Sequence, residues 1–274
     1  MTTISDPVLD HSYSASGGVA AFIDCWIFVF MAGFILAIVL IGFVPDSFGM
    51  VARMEAGAAP PIPPILHVHA VLMGAWILLL LAQATLMATG RRGLHMQLGL
   101  IALILAPAIV IVGFMLVPVR HAQLYGMIAA APADVAAYLN AEVVPFVTNL
   151  LLAQIRVGIV FPLLVGLALY VRKTDFETHK RLMILATIAP LPAAIDRIHF
   201  LPSSSPDSPL TMDLYALLVI APLFVWDLYR RGGKVQRAYI VWLAVMLPTA
   251  IAQNLLWSTP WWLETGPKLV GAAS

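Results

Sequence analysis

Six histidines stand at the ends of apolar segments, where an imidazole can ligate a metal or a haem iron, pass a proton, or meet lipid headgroups. His67 and His69 follow the Pro63-Pro64-Ile65-Leu66 lead, His95 follows Arg91-Arg92, and His179 lies in Glu177-Thr178-His179-Lys180-Arg181. His121 and His199 belong to later boundaries. In a helix His67 and His69 project about 200° apart, so they cannot share one ion from the same face. Alternating steps of four and three from His69 reach Met73, Trp76, Leu80, Gln83 and Met87, which makes His69 the inward candidate and places an amide below it. The competing reading is headgroup contact and ordinary helix packing.

The same stepping from His95 reaches Gly99, Ala102, Ala106, Ile109 and Gly113, and from His179 it reaches Met183, Ala186, Pro190, Ala193 and Arg197. Both are faces of small residues, open to a neighbouring helix or a flat macrocycle. Arg156 falls inside an apolar run, twelve residues past Val144, which predicts a depth near the membrane middle. A central Arg costs about 2.5 to 3.5 kcal/mol on insertion scales, so an acceptor is required: Asp196, backbone carbonyls or an anionic ligand such as a haem propionate. Asp196-Arg197-Ile198-His199, with His67, His69, Arg120 and His121 on the same predicted side, is the densest titratable cluster. Asp24 and Asp227 read as interfacial carboxylates.

These residues need a membrane to position them. Of 274 residues 61% are hydrophobic and 11% charged, with a mean hydropathy of +0.94, against about 25% charge in soluble domains. Continuous apolar runs predict an all-α polytopic helix bundle with seven spans: Val19 to Val44, Ile65 to Ala88, Met96 to Val117, Val144 to Val171, Leu182 to Leu201, Leu210 to Tyr229 and Ala238 to Trp257. No strand alternation suggests a β-barrel. Arg91 and Arg92, then Arg172, Lys173, Lys180 and Arg181, then Arg230, Arg231, Lys234 and Arg237 hold most of the 15 basic residues in alternate connections. Those connections are expected inside, with the N-terminus inside, the C-terminus outside, and Trp257, Trp261 and Trp262 as an outer anchor.

The expected layout is an N-terminal cytoplasmic tail (1-18), one transmembrane domain (19-257) and a C-terminal tail (258-274). A short interfacial helix is expected after Pro132 in the Val119 to Glu142 connection, and Pro190 and Pro192 are expected to kink the fifth span. Cys25 is the sole cysteine, and no signal-peptide pattern opens the chain. A net charge of +1 without a basic face gives no sign of nucleic acid. No phosphate loop, H-E-x-x-H pair, nucleophile elbow or di-iron histidine box is present, and the last span has no retinal-binding lysine.

His67-x-His69, Gln83, Arg91-Arg92-Gly-Leu-His95-x-x-Leu98-Gly99, His179-Lys-Arg-Leu-Met183 and Arg197 resemble an uncharacterised family of multi-pass bacterial membrane proteins. Its hallmarks are a helix-opening histidine, a glutamine, a His-Arg-x-Leu-Gly motif, a His-Lys-x-x-Met motif and a terminal Arg. The resemblance covers 66-199, departs at Met96-Gln97, and implies the bacterial cytoplasmic membrane. Placement is also similar to b-type cytochromes of the b561 kind, which bind haem between histidines near each membrane face. That likeness implies His95 and His179 as an inner pair, and two of His69, His121 and His199 as an outer set.

The leading expectation is therefore a redox protein binding haem b through paired histidines, with His69, His95, His179 and His199 as metal ligands. Arg156 or Arg197 would balance a propionate, and a quinone or membrane electron-transfer partner would follow. The alternatives are a proton-coupled or small-solute transporter using His69, Gln83, Arg156 and Asp196, and a non-catalytic subunit of a larger membrane complex.

Overall fold

A computed structural model describes residues 18 to 271, so all of the expected N-terminal tail except Gly18 lies outside the described residues. Among those residues there are helices and no strands. The helices are α1 (Val19–Glu55), α2 (Pro64–Ala88), α3 (Arg92–Leu98), α4 (Ala102–Ala130), α5 (Ala133–Tyr138), α6 (Val144–Val171), α7 (Phe176–Ile188), α8 (Pro192–Ile195), α9 (Leu210–Arg230), α10 (Arg237–Leu256) and α11 (Pro260–Leu269). A 3-10 turn, Gly99–Ile101, joins α3 to α4, and a π turn, Leu139–Val143, joins α5 to α6. Six helical stretches are long and apolar enough to cross a membrane: Val19–Glu55, Pro64–Ala88, Arg92–Ala130, Ala133–Val171, Leu210–Arg230 and Arg237–Leu256. The chain is a multi-pass membrane protein in character, with its apolar flanks turned to lipid.

The fifth expected span differs from the other six. Pro190 has no N–H to donate and Pro192 opens a new turn, so the helix breaks between Ile188 and Pro192. Both pieces are enclosed: Leu182, Leu185, Ala186, Ile188, Leu191 and Ala194 are buried. This broken element is the centre of the main core, where Trp76 of α2 packs edge-on against Phe161 of α6, with 5.0 Å between centroids. The indole Nε1 of Trp76 donates to Thr187 Oγ1 on α7 at 3.0 Å.

Two helices outrun their hydropathy. α1 continues through Pro45 to Glu55, beyond the expected end at Val44, and α4 continues through Pro118 to Ala130. The Val119 to Glu142 connection is thus mostly helix, broken only at Ala131 and Pro132, because it is rich in good helix formers. In the C-terminal segment α11 lies against α6. There Trp262 donates to the Thr148 carbonyl at 2.9 Å and Trp257 to the Pro206 carbonyl at 2.9 Å. Both indoles are buried and only Trp261 is exposed, so the expected three-tryptophan outer anchor reduces to one ring.

α1 meets α8 backbone to backbone. A Cβ on Gly42 would overlap the Ala194 carbonyl, a group that cannot rotate away. Gly42→Ala is expected to lower stability by about 1–3 kcal/mol through overpacking. Gly33→Ala on the same helix meets nothing within 4 Å and should be neutral or stabilising. Thermal unfolding of both variants in detergent checks the contrast.

Candidate functional site

α2 sorts its histidines by face. His67 is exposed, while His69 turns toward α4, its ring 3.6 Å from where a Cβ would stand on Gly113. The His69 Nδ1 is buried without a partner. Fourteen residues further along α2, about 21 Å at the helical rise, both amide atoms of Gln83 are likewise buried and unpartnered. Between the two, Trp76, Ile77 and Leu80 are buried and fill the seam.

At the end of the bundle that carries the basic turns after Thr89 and Val171, the structure brings His95 and His179 within electrostatic reach of each other. Arg92 lies beside the first ring and Arg172 beside the second. His95 Nδ1 faces the Gln83 carbonyl at 3.4 Å, and His179 Nδ1 faces the Ala168 carbonyl at 2.8 Å. A carbonyl oxygen can only accept, so Nδ1 carries the proton in both rings and Nε2 keeps its lone pair. Neither Nε2 makes a hydrogen bond among the described residues. This arrangement, with one nitrogen fixed on a carbonyl and the other presented, is how metal-ligating histidines are oriented and made more basic.

The other candidates lie elsewhere. His121 is 3% exposed on α4 with Nδ1 on its own helix, 3.0 Å from the Val117 carbonyl, and with Nε2 unpartnered. It lies eight residues, about 12 Å, past Gly113, the residue that faces His69. His199 is exposed beyond α8. Among the described residues no group of three or more His, Cys, Asp or Glu is placed to hold a metal ion. The small faces expected to receive a macrocycle are largely filled by neighbouring helices: Ala102, Ala106, Ile109 and Ala186 are core residues.

Both arginines expected to balance a propionate are already paired. Arg156 Nη2 lies 2.6 Å from Asp213 Oδ1, an ion pair outside hydrogen-bond angles, while Nε donates to Thr249 Oγ1 at 3.3 Å and Nη1 to Gln253 Oε1 at 3.2 Å. Asp213, not Asp196, is the partner; Asp196 is exposed at the end of α8. Depth explains the pairing. Arg156, Asp213 and Gln253 lie 15, 17 and 16 residues from the basic-turn ends of their helices, Val171, Arg230 and Arg237. At about 1.5 Å per residue all three share one level, roughly 22–26 Å from that end and so in the far third of a span, not the middle. Arg197 Nε donates to Asp46 Oδ2 at 3.0 Å on the extension of α1.

A larger polar network, not expected from the sequence, ties α7 to α9 and α10 at the end that carries the basic turns. Arg181 grips Asp227 with two guanidinium nitrogens, Nε to Oδ2 at 2.7 Å and Nη2 to Oδ1. Tyr239 donates its hydroxyl to Asp227 Oδ2 at 2.6 Å. Arg181 Nη1 also donates to the Glu177 carbonyl at 3.0 Å, and Lys180 pairs with Glu177 at 2.6 Å. Beside it Asp175 caps α7, accepting from the Thr178 hydroxyl at 2.6 Å and amide at 2.9 Å, which hold its carboxyl below the usual carboxylate range. Asp24, on α1, pairs with Arg230 at 2.7 Å and accepts from Trp226 Nε1 at 2.9 Å. The only sequence signal for these contacts is depth, since each intramembrane cation requires an acid at its own level. Compared with models of known protein families, with curated proteins and with solved structures, the chain matches none.

Proposed function

We propose that the chain is a membrane redox protein that holds haem b at the inner face between His95 and His179. The observation that carries this reading is the shared geometry of the two rings: each sets Nδ1 on a main-chain carbonyl and leaves Nε2 without a hydrogen-bond partner, and the rings lie within electrostatic reach of each other. Bound there, the group would supply one-electron iron chemistry, with axial-ligand identity and burial setting its potential. His95 and His179 would hold the iron, and the Gln83 and Ala168 carbonyls would fix the ring tautomers. Arg92 and Arg172 take over the charge-balancing role from Arg156 and Arg197, which already have carboxylate partners. A second haem is not part of the proposal, because neither His69 nor His199 has a ring nitrogen fixed on a carbonyl, and His121 is buried on its own helix.

We place the N-terminus inside, the C-terminus outside and the protein in a bacterial cytoplasmic membrane. Seven crossings follow if α7 and α8 together count as one. α6 ends at the basic turn after Val171 and α9 ends at the basic turn after Arg230, so these turns share a side only if residues 176 to 198 cross. Two observations weigh against a transporter: Arg156, Arg181 and Arg197 are each paired with a carboxylate, and buried Trp76 and Leu80 separate His69 from Gln83.

A reduced-minus-oxidised absorption spectrum with iron analysis tests the reading. Protein purified from cells supplied with haem is expected to show a Soret band and about one haem per chain, as bis-histidine ligation at one site requires. Protein without that band would sink the proposal and favour a non-catalytic membrane subunit.

A further inference from the structure

We propose that the Gln83 carboxamide is the recognition group for a lipid-soluble ligand of the quinone and quinol class, seated beside the His95–His179 pair. The proposal rests on the haem reading for its redox consequence, but binding itself does not depend on it.

Burying a carboxamide without hydrogen bonds is costly, about 1–3 kcal/mol by mutational measures and more in a hydrocarbon-like medium. Gln83 does this twice over. Among the described residues it is the only side chain that strands both a donor, Nε2, and an acceptor, Oε1. Each other stranded group has a single unpartnered nitrogen: His69, His121 and Trp242 lack one partner each, and the Arg156 Nη2 lies against a carboxylate. An amide held in this state is explained by a partner that brings both an acceptor and a donor.

Its surroundings define that partner. Gln83 lies five residues, about 7.5 Å, from the inner end of α2. Its main-chain carbonyl receives His95 Nδ1, so the side chain emerges next to the histidine pair. Nε2 lies 3.6 Å from where a Cβ would stand on Gly99, one turn beyond His95, and the glycine leaves that face bare beside the amide. Met96 and Leu100, beside Gly99 in sequence, are exposed at 63% and 56%, so an apolar surface borders this face. A quinol hydroxyl can both accept from Nε2 and donate to Oε1, and its apolar body suits the flank of Met96 and Leu100. A fully ionised water-soluble anion can accept from Nε2 but has no proton for Oε1 and no apolar body.

The test uses the purified full chain in nanodiscs and a decyl-substituted benzoquinol, held reduced under anaerobic conditions, as probe, read by equilibrium dialysis and by thermal unfolding. The wild type should bind and its unfolding temperature should rise with probe concentration. Gln83→Met, apolar and of similar length, should weaken binding about tenfold or more, since a site built to hydrogen-bond loses its handle. The same variant should be more thermostable than the wild type without probe, because the stranded amide is gone. Gln83→Asn, with the amide drawn back by one methylene, should bind at an intermediate level, and His69→Leu should bind as the wild type does. A wild type that does not bind overturns the proposal, as does Gln83→Met binding unchanged. A Gln83→Met variant destabilised without probe also overturns it, because the amide then has a structural partner. A missing Soret band with intact quinol binding would sink the haem reading alone, and an intact band without quinol binding would sink this one alone.

Discussion

Asp227→Ala is expected to cost about 3–5 kcal/mol of stability, seen as a large fall in unfolding temperature and in the yield of monodisperse protein. The side chains of Arg181 and Asp227 are only 7% and 5% accessible, so neither charge has water to fall back on. Asp227 receives two guanidinium nitrogens and the Tyr239 hydroxyl, and removing it strands all three donors at once. Most of the expected loss is the penalty of a buried cation left with Glu177 as its one remaining carboxylate and with Nε and Nη2 stranded, not the net contribution of the pair. Arg181→Met combined with Asp227→Leu should therefore recover much of what Asp227→Ala loses, since filling the space with apolar groups removes the charge and keeps the packing. The Asp24–Arg230 pair gives the contrast: its side chains are 37% and 20% accessible, and Asp24→Ala should cost no more than about 1 kcal/mol. An unfolding temperature for Asp227→Ala equal to that of the wild type would refute the argument. A double variant less stable than Asp227→Ala would show that the ion pair itself stabilises the fold.

The pattern of legible and illegible features has a physical basis. Hydropathy measures transfer into lipid, so it located the apolar stretch of each crossing helix but not the polar ends of α1 and α4, which are helical for local reasons beyond the bilayer. It also could not distinguish a lipid-facing span from α7 and α8, most of whose apolar residues are buried against protein. Helical period is a local property, and it separates His67 from His69 because residues two apart point to opposite faces. Pairing is not local. Asp213 lies 57 positions from Arg156, and the depth that joins them follows only when both helices are counted from the ends that carry the basic turns. Arg181 was hidden by its neighbours: beside Lys180 and near Arg172 it reads as one more loop cation. The Asp175 cap puts it in the second turn of a buried helix instead. Small-residue faces were ambiguous for the same reason, because Ala102 and Ala106 suit a packed helix as well as a macrocycle, and the helix took the space.

His95→Ala and His179→Ala are each expected to reduce bound haem from about one per chain to a small residue, with loss of the six-coordinate spectrum. Both rings should be needed, since each presents one nitrogen and no third histidine is near. His69→Ala, His121→Ala and His199→Ala should retain the full spectrum, because the first faces Gly113, the second is buried on α4 and the third is exposed beyond α8. His179→Met adds a test that mere structural damage cannot mimic. A thioether in place of one imidazole should keep the iron bound and raise its potential, as methionine–histidine ligation does elsewhere. Redox titration of that variant against the wild type reads the shift. If His69→Ala abolished the band while His95→Ala left it intact, the cofactor would belong to the outer seam of α2 and α4, and the inner pair would be structural. The carbonyl anchors make the opposite outcome the expected one. His69 has a stranded Nδ1, so its tautomer is not fixed and its ring is not held for ligation. In His95 and His179 the main chain has already chosen which nitrogen carries the proton, and both Nε2 lone pairs are left for the iron that the proposed reading puts between them.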